Sequence, residues 1–225
     1  MGTTNEKSEI KGLDSLRVVE EKIPHDKFAE FFRFLEDEGA AAGLGSDPKA
    51  RYLMLAKEGS VEAYRKIEES IRSESLTAEL KDFALVSLNY CRFKMENELL
   101  DIPTDMVSGE LGGAEGMMRI YVAVAGKEDI NEEQFERVKR AFECAVSERD
   151  SILEESRFHG FYISFILLIS INYAFGELIE DGIGQCGFLK SEYYATNVEI
   201  PTDDRIRDWL DGKLDDEEYY QSIRT

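Results

Sequence analysis

Apolar and polar positions follow a regular order in the second half of the chain. Residues 118–125 are rich in β-branched and aromatic side chains and lie between Gly116 and Gly126, which predicts a first strand. Asn131 and Gln134 then have the spacing of a capping box at a helix start. The apolar residues behind this box recur every three or four positions, as on one face of a helix: Phe135, Val138, Phe142 and Ala145.

Two further strands are predicted after this helix. The polar stretch 152–158 is followed by His159-Gly160, a pair that predicts a tight turn because glycine tolerates positive φ. Residues 161–171 are strongly apolar and predict the next strand. Periodicity alone also permits one long buried helix over 158–183, so both interpretations stay open.

The remaining elements complete a familiar topology. Asn172 predicts the N-cap of a second helix, and 192–200 predicts a fourth strand. The order strand–helix–strand–strand–helix–strand is that of a ferredoxin-like (βαββαβ) unit with a four-stranded antiparallel sheet, which we place at 117–200. The two strands that would be central are the apolar ones, and the two that would form the edges carry charges, as this topology requires.

The rest of the chain is predicted to be mainly helical, so the fold class is α+β. Residues 1–24 form a loose N-terminal arm, 25–101 a helical region broken at 39–45, 102–116 a Gly-rich connector, and 201–225 a C-terminal helical segment. Within the helical region, residue types that favour a helix start precede each apolar run: Asp26, Asp47, Ser60 and Thr77.

The composition limits the classes of binding partner and the cellular compartment that we expect for this protein. The net charge of −20 is spread along the chain and repels phosphate backbones, so we expect no direct nucleic-acid binding. No apolar run reaches the roughly 18 residues of a membrane span, and the first residues lack the apolar core of a signal peptide. The three cysteines are too scattered for a disulfide framework or a zinc site, which favours reduced thiols and a cytoplasmic location.

The sequence contains few motifs that could support catalysis or bind a phosphate group or a metal ion. The glycines of 102–116 run into a strand and lack a lysine, whereas a phosphate loop runs into a helix. His159 follows two acids and a serine along the chain: Glu154, Glu155 and Ser156. A histidine before glycine is typical of a turn, however, and the sequence around it carries no nucleophile-elbow motif. The acidic pairs near the C-terminus lack the spacing of a calcium loop. We therefore predict no catalytic residues, no metal site and no cofactor.

One face of the predicted sheet should be buried by another segment of the chain or by another protein molecule. Helices would lie on one side, while the third strand is apolar on both sides, and soluble monomers avoid large bare apolar faces. The candidates are the N-terminal helices, the C-terminal segment with Trp209 and Leu210, a second copy of the chain, or another protein. Residues that would form a functional face, unless they are packed under the helical half, are Arg119, Tyr121, Tyr162, Tyr193 and Asn197.

These observations favour a non-enzymatic, acidic interaction protein, namely an assembly, adaptor or regulatory factor that docks on a protein partner or on itself. The alternative is a small-ligand-binding regulatory module, with its ligand near 125–127 or between the two halves, and an enzyme of unknown class ranks third. The ligand alternative rests on analogy between folds.

Overall fold

The computed structural model of the chain describes residues 16–73, 75–100 and 105–213. These ranges hold a mixed α+β structure with eight helices and seven strands, which confirms the predicted α+β class at this level. They divide into two compact units. Unit one comprises Leu16–Val19 and Ile23–Val107, and unit two comprises Glu20–Lys22 and residues from Ser108 onward. None of the helices in these ranges is long and apolar enough to cross a membrane.

Predictions for the N-terminal arm before residue 16, for 101–104 and for 214–225 lie outside the described residues.

Unit one carries five helices and two short paired strands among its described residues. In chain order these are β1 (Leu16–Val19), α1 (His25–Glu36), α2 (Glu38–Gly43), α3 (Pro48–Glu58), α4 (Val61–Ser73), α5 (Ala78–Leu100) and β2 (Asp105–Ser108). The Asp47 side chain accepts a hydrogen bond from Lys49 N at 2.8 Å and caps α3, which ends at Gly59 in the left-handed conformation. The Asp47 cap was predicted from its residue type, and a glycine at the helix end suits the left-handed conformation.

Two predictions for unit one are wrong in detail. Helix α1 begins at His25, so Asp26 lies in its first turn and Pro24 occupies the N-cap position. Proline has a fixed φ that suits a helix start, and its lack of an N–H costs nothing there. The predicted break at 39–45 contains the short helix α2, because three consecutive alanines favour helix between the flanking glycines.

The core of unit one is aromatic. Phe31, Tyr52 and Phe83 are fully buried, together with Ile67 and Cys91, on helices α1, α3, α4 and α5. The rings of Phe31 and Phe83 lie 5.5 Å apart in a tilted arrangement. Such pairs add specific geometry to the burial of apolar area that holds the helices together.

Unit two contains an antiparallel sheet with two helices on one face and a third helix on the other. Its elements are β3 (Gly113–Ala114), β4 (Met117–Gly126), α6 (Glu132–Ser147), β5 (Ile152–Phe158), β6 (Tyr162–Ser170), α7 (Phe175–Gly184), β7 (Leu189–Thr196) and α8 (Asp203–Leu210). The strand order is β3-β4-β6-β5, and β7 also pairs with β4. Helix α6 begins with the predicted capping box, in which the Asn131 side chain accepts from Gln134 N and the Gln134 side chain accepts from Asn131 N, each at 2.9 Å.

The open question about 158–183 is resolved in favour of a strand and a helix, since β6 and α7 occupy this stretch. Asn172 is not the N-cap of α7, because the chain makes a turn first and Ala174 takes that position. The fourth strand lies three to four residues earlier than predicted. Its place is decided by pairing with β4, in which Tyr193 lies opposite Val124 and Thr196 opposite Tyr121.

The two faces of this sheet carry different cores. On the helix face, Val122, Val124 and Phe165 pack against Phe142 of α6 and Leu178 of α7. The other face holds a smaller cluster of Tyr121, Ala123, Ala125, Tyr162, Ile166 and Tyr194, which Ile206 of α8 and Leu111 cover. The predicted alternation of β4 is confirmed, and the C-terminal segment is among the covers of the predicted bare face, with Trp209 and Leu210 packed at its margin.

The stretch predicted as a Gly-rich connector contributes ordered structure to unit two. It contains the short strand β3, and Leu111 is buried in the cluster beneath α8. Gly112 has a φ of +69°, and a Cβ at this position would lie 2.4 Å from the carbonyl oxygen of Glu20. Glycine is therefore required here both by backbone conformation and by close approach.

Candidate ligand-binding site

A small pocket opens on the sheet face that α8 partly covers. Its volume is ≈ 90 Å³, which holds a few water molecules or a small organic group. The residues that line it come from β4, β5, β6, the turn between β5 and β6, and the segment leading into α8: Tyr121, Glu155, Arg157, His159, Tyr162, Ser164, Phe165, Ile166, Ile200, Pro201 and Asp203.

A serine, a histidine and an aspartate lie in line within the pocket. The Nε2 atom of His159 is 2.9 Å from Ser164 Oγ, and its Nδ1 atom is 3.4 Å from Asp203 Oδ1. A carboxylate beside Nδ1 favours the tautomer with the proton on that nitrogen, so Nε2 is the acceptor for the serine hydroxyl. The three groups thus have the order hydroxyl, imidazole, carboxylate.

Two tyrosines support this row. The ring of Tyr162 stacks on the His159 imidazole, with 4.0 Å between ring centroids and an interplanar angle of 8°. The Tyr162 hydroxyl donates a hydrogen bond to Asp203 Oδ1 at 2.5 Å. Tyr121 lines the pocket together with Ser164 and Tyr162. Burial, followed by the hydrogen bond to Asp203, raises the pKa of Tyr162, and burial also raises the pKa of Tyr121. Both phenols are therefore neutral donors at pH 7.

The charge state of the histidine follows from its surroundings. Burial lowers the pKa of His159, Asp203 opposes this effect, and Arg157 adds to it. The imidazole is consequently neutral at pH 7, the form that can accept a proton. Among the described residues, every buried side-chain nitrogen or oxygen has a hydrogen-bond partner, so the cluster is ordered before any ligand arrives.

Local sequence explains how these side chains meet. Gly160 has a φ of +84° in the turn between β5 and β6, and His159 N donates to Tyr162 O at 3.0 Å, which turns the imidazole back over the start of β6. Tyr162 and Ser164 are two residues apart on a strand and share a face. Thr202 caps α8 by accepting from Arg205 N at 3.3 Å, which places Asp203 in the first turn of that helix.

The rim of the pocket combines charge with an exposed apolar side chain. Arg157 and Glu155 form an ion pair on one side, and their alternation on β5 places both on the pocket face. Ile200 lines the other side while remaining 54% exposed. An exposed isoleucine next to ordered polar groups is an arrangement typical of small-molecule sites.

Neither a protein-family model nor a curated protein matches this chain.

The structure brings together two of the five residues predicted to form a functional face. Tyr121 and Tyr162 both line the pocket, although they are buried and offer no free docking surface. The guanidinium of Arg119 is engaged elsewhere: Nε and Nη2 donate to the Glu154 carboxylate at 2.5 and 2.8 Å, and Nη1 donates to Leu111 O at 2.9 Å. Arg119 is thus a bridge between β4 and β5.

The other two predicted residues lie away from the pocket. Tyr193 pairs with Val124 and packs with the core on the helix face, so it lies on the opposite side of the sheet from Tyr121. The Asn197 amide contacts Met118 Sδ at 3.2 Å. The five residues do not form one surface, because Tyr193 lies on the helix face of the sheet and Tyr121 and Tyr162 lie on the other face.

Sequence reasoning considered His159 beside Glu154, Glu155 and Ser156, and of these three only Glu155 lines the pocket with it. Glu154 pairs with Arg119 and Ser156 lies opposite Phe165, on the helix face. Alternation along β6 already placed Ser164 on the same face as Tyr162. Nothing local in the sequence places Asp203, which arrives because the chain after β7 folds back across the sheet. In the described ranges, no group of three or more His, Cys, Asp or Glu side chains has the arrangement of a metal site.

Proposed function

We propose that unit two is a small-ligand-binding module and that its site is the pocket beneath the start of α8. One observation carries this proposal: Tyr121, His159, Tyr162, Ser164 and Asp203 converge on one small cavity from three separate parts of the chain. Ordered polar side chains at a concave site, with perturbed pKa values, are the usual mark of a ligand site.

The chemistry of the lining supports a small ligand with a carbonyl or carboxyl oxygen. Donors are supplied by the Arg157 guanidinium and by the Tyr121 hydroxyl, and Ile200 with Pro201 offers an apolar wall. Glu155 and Asp203 contribute negative charge, so a ligand with several negative charges would be repelled. A cavity of ≈ 90 Å³ suits a group of only a few heavy atoms.

For unit two we propose a ferredoxin-like fold. Support comes from the pairs β5–β6, β6–β4 and β4–β7, all antiparallel, with α6 and α7 packed on one face. The short strand β3 is an addition to that pattern. The fold assignment says nothing about the ligand, which must be argued from the site.

Docking on a protein partner remains a second proposal. It was motivated by an uncovered apolar sheet face, and Ile206 of α8 is fully buried on that face. A partner at the same place would have to displace α8. The acidic surface remains consistent with an interaction protein of the cytoplasm that does not bind nucleic acid directly, and the three unpaired cysteines agree with a reducing compartment.

The ligand proposal is tested by titrating the full chain with acetamide and with acetate, at up to about 10 mM, while recording protein NMR spectra. We expect shifts of the His159 ring protons and of backbone amides in the turn between β5 and β6. The variant Ile200→Trp, which fills the rim, should abolish these shifts. Ile152→Trp is the matched control, since Ile152 is 43% exposed on β5 and does not line the pocket.

A response that is equal in Ile200→Trp and the wild type would contradict the proposal, because binding would then lie elsewhere. Absence of any perturbation with both probes would contradict it as well.

A further inference from the structure

We propose that Ser164, His159 and Asp203 perform acyl transfer, in which Ser164 takes the acyl group of a small ester and passes it to water. This inference rests on the proposed ligand site and deepens it, because it assigns a reaction to the same pocket. It adds a hydrolytic activity and a substrate class to a module that could otherwise only bind.

The geometry satisfies the first requirements of a nucleophile and its base. Ser164 Oγ lies 2.9 Å from His159 Nε2, within direct proton-transfer reach. Asp203 Oδ1 is 3.4 Å from His159 Nδ1, longer than a good hydrogen bond, and the same oxygen accepts a hydrogen bond from the Tyr162 hydroxyl at 2.5 Å, which fixes the carboxylate beside the imidazole. Asp203 is therefore a positioning residue, which orients the imidazole and stabilises its charged form.

The oxyanion must be stabilised by side chains in this site. The backbone of β6 pairs with β4 on one side and with β5 on the other, so its N–H groups are engaged in the sheet around Ser164. Arg157 lies directly opposite Ser164 in the β5–β6 register, and cross-strand neighbours on one face have Cβ atoms about 5 Å apart. Glu155 contacts the guanidinium through Nε, and a guanidinium has further N–H donors beyond that one. Tyr121 supplies a neutral hydroxyl beside the serine.

The reaction balances with these groups and water alone. Ser164 Oγ forms a bond to the carbonyl carbon of the ester while its proton passes to His159 Nε2, and the carbonyl oxygen becomes an anion facing Arg157 and Tyr121. The anion then collapses, the bond to the leaving alcohol breaks, and the proton on Nε2 passes to that oxygen. Water next attacks the acyl-serine, giving its proton to His159, and the proton returns to Ser164 Oγ as the carboxylic acid leaves.

The pocket selects the acyl group by size. A volume of ≈ 90 Å³ accommodates an acetyl or propionyl group, while the alcohol part can extend past the exposed Ile200 at the rim. Esters of short acids are accordingly the proposed substrates, and long-chain acyl esters should not enter.

The test uses the full chain with 4-nitrophenyl acetate as substrate and methanesulfonyl fluoride, whose sulfonyl group carries a single methyl and is close to acetyl in size, as a covalent probe. We expect the probe to label Ser164, as located by peptide mass spectrometry. We also expect Ser164→Ala and His159→Gln each to lower the rate of ester hydrolysis by on the order of 10². Ser156→Ala is the matched control, because this serine lies on the neighbouring strand and on the opposite face.

A pH profile separates positioning by Asp203 from a purely structural role. Asp203 raises the pKa of His159, so Asp203→Asn should shift the acid limb of kcat/KM to lower pH in addition to lowering the rate. A structural role alone would lower the rate and leave the acid limb in place, and that result would overturn the assignment.

The experiments can contradict the acyl-transfer proposal without contradicting the proposal of a ligand site. If acetamide shifts the pocket resonances while methanesulfonyl fluoride leaves Ser164 unlabelled and Ser164→Ala hydrolyses the ester as fast as the wild type, acyl transfer is overturned and the ligand site stands. Labelling at a residue other than Ser164 would overturn it too. The labelling result uses the wild-type chain and therefore does not depend on whether any variant folds.

Discussion

The Tyr162 hydroxyl donates a hydrogen bond to Asp203 Oδ1 at 2.5 Å and joins the start of β6 to the first turn of α8. Tyr162 is fully buried, whereas the Asp203 side chain is largely exposed. One contact therefore connects the core of the sheet face to the helix that covers it, and it also orients the carboxylate that faces His159.

Removing this hydroxyl should weaken the attachment of α8. We expect Tyr162→Phe to lower the free energy of unfolding by about 1 kcal/mol, because a hydrogen bond to a charged group is lost at a site that solvent partly screens. Urea denaturation followed by circular dichroism measures the change. Tyr193→Phe, which alters a tyrosine on the helix face, should cost less. Equal losses in the two variants would argue against a special role for the bond to Asp203.

The burial of His159 should make stability depend on pH. Its pKa is lowered in the folded state, so the unfolded chain binds the proton more tightly. The stabilisation is fully present above the unfolded pKa of about 6.5 and is lost as the pH falls from there toward the folded pKa. Between about pH 7 and pH 5, the unfolding free energy of the wild type should therefore fall more steeply than that of His159→Gln.

Urea denaturation at several pH values measures this difference. Parallel curves for the wild type and His159→Gln would show that His159 does not titrate with folding.

The accuracy of the sequence-based predictions depended on whether the signal was local. The start of α6 was predictable because Asn131 and Gln134 satisfy each other's backbone groups within one turn. Alternation along β4 likewise separated Val122 from Tyr121 correctly, since the period of a strand is a property of the strand itself.

Long-range pairing accounts for what could not be predicted. The register of β7 depends on its partner β4, where an irregularity lies between Val124 and Gly126, and this register places Tyr193 on the helix face. Asp203 reaches His159 across 43 intervening residues, through a fold-back that no neighbouring residue signals. Alternation along β4 and β6 therefore places Tyr121, Tyr162 and Ser164 on one face, whereas the arrival of Asp203 beside them has no local signal.

The ion pair between Arg119 and Glu154 should stabilise unit two. It spans β4 and β5 across the central strand β6, with side chains only 18% and 30% exposed. We expect Glu154→Gln to lower the free energy of unfolding by about 1 kcal/mol, at the upper end for such pairs because the contact is bidentate and half-buried. Arg119 holds the pKa of Glu154 below its usual value, so this contribution is present near neutral pH and disappears as the pH falls through the folded pKa.

Urea denaturation of Glu154→Gln at pH 7 and in acid checks both statements. The adjacent variant Glu155→Gln removes a more exposed ion pair with Arg157 and should have a smaller effect. A larger loss from Glu155→Gln would mean that the bridge across β6 contributes little.

Two glycines of α7 should respond to alanine with opposite signs. A Cβ at Gly182 would lie 2.9 Å from Cε2 of Phe142, whose ring is fully buried and stacked on Phe165 with 4.3 Å between centroids. The ring has no room to move, so Gly182→Ala should destabilise the protein by about 1–3 kcal/mol through overpacking. A Cβ at Gly184 meets nothing within 4 Å, and Gly184→Ala should stabilise the helix by about 0.5 kcal/mol because alanine has less backbone freedom to lose. Thermal unfolding of both variants measures the two signs, and stabilisation by Gly182→Ala would show that α6 and α7 pack less tightly than the distance between Gly182 and Phe142 implies.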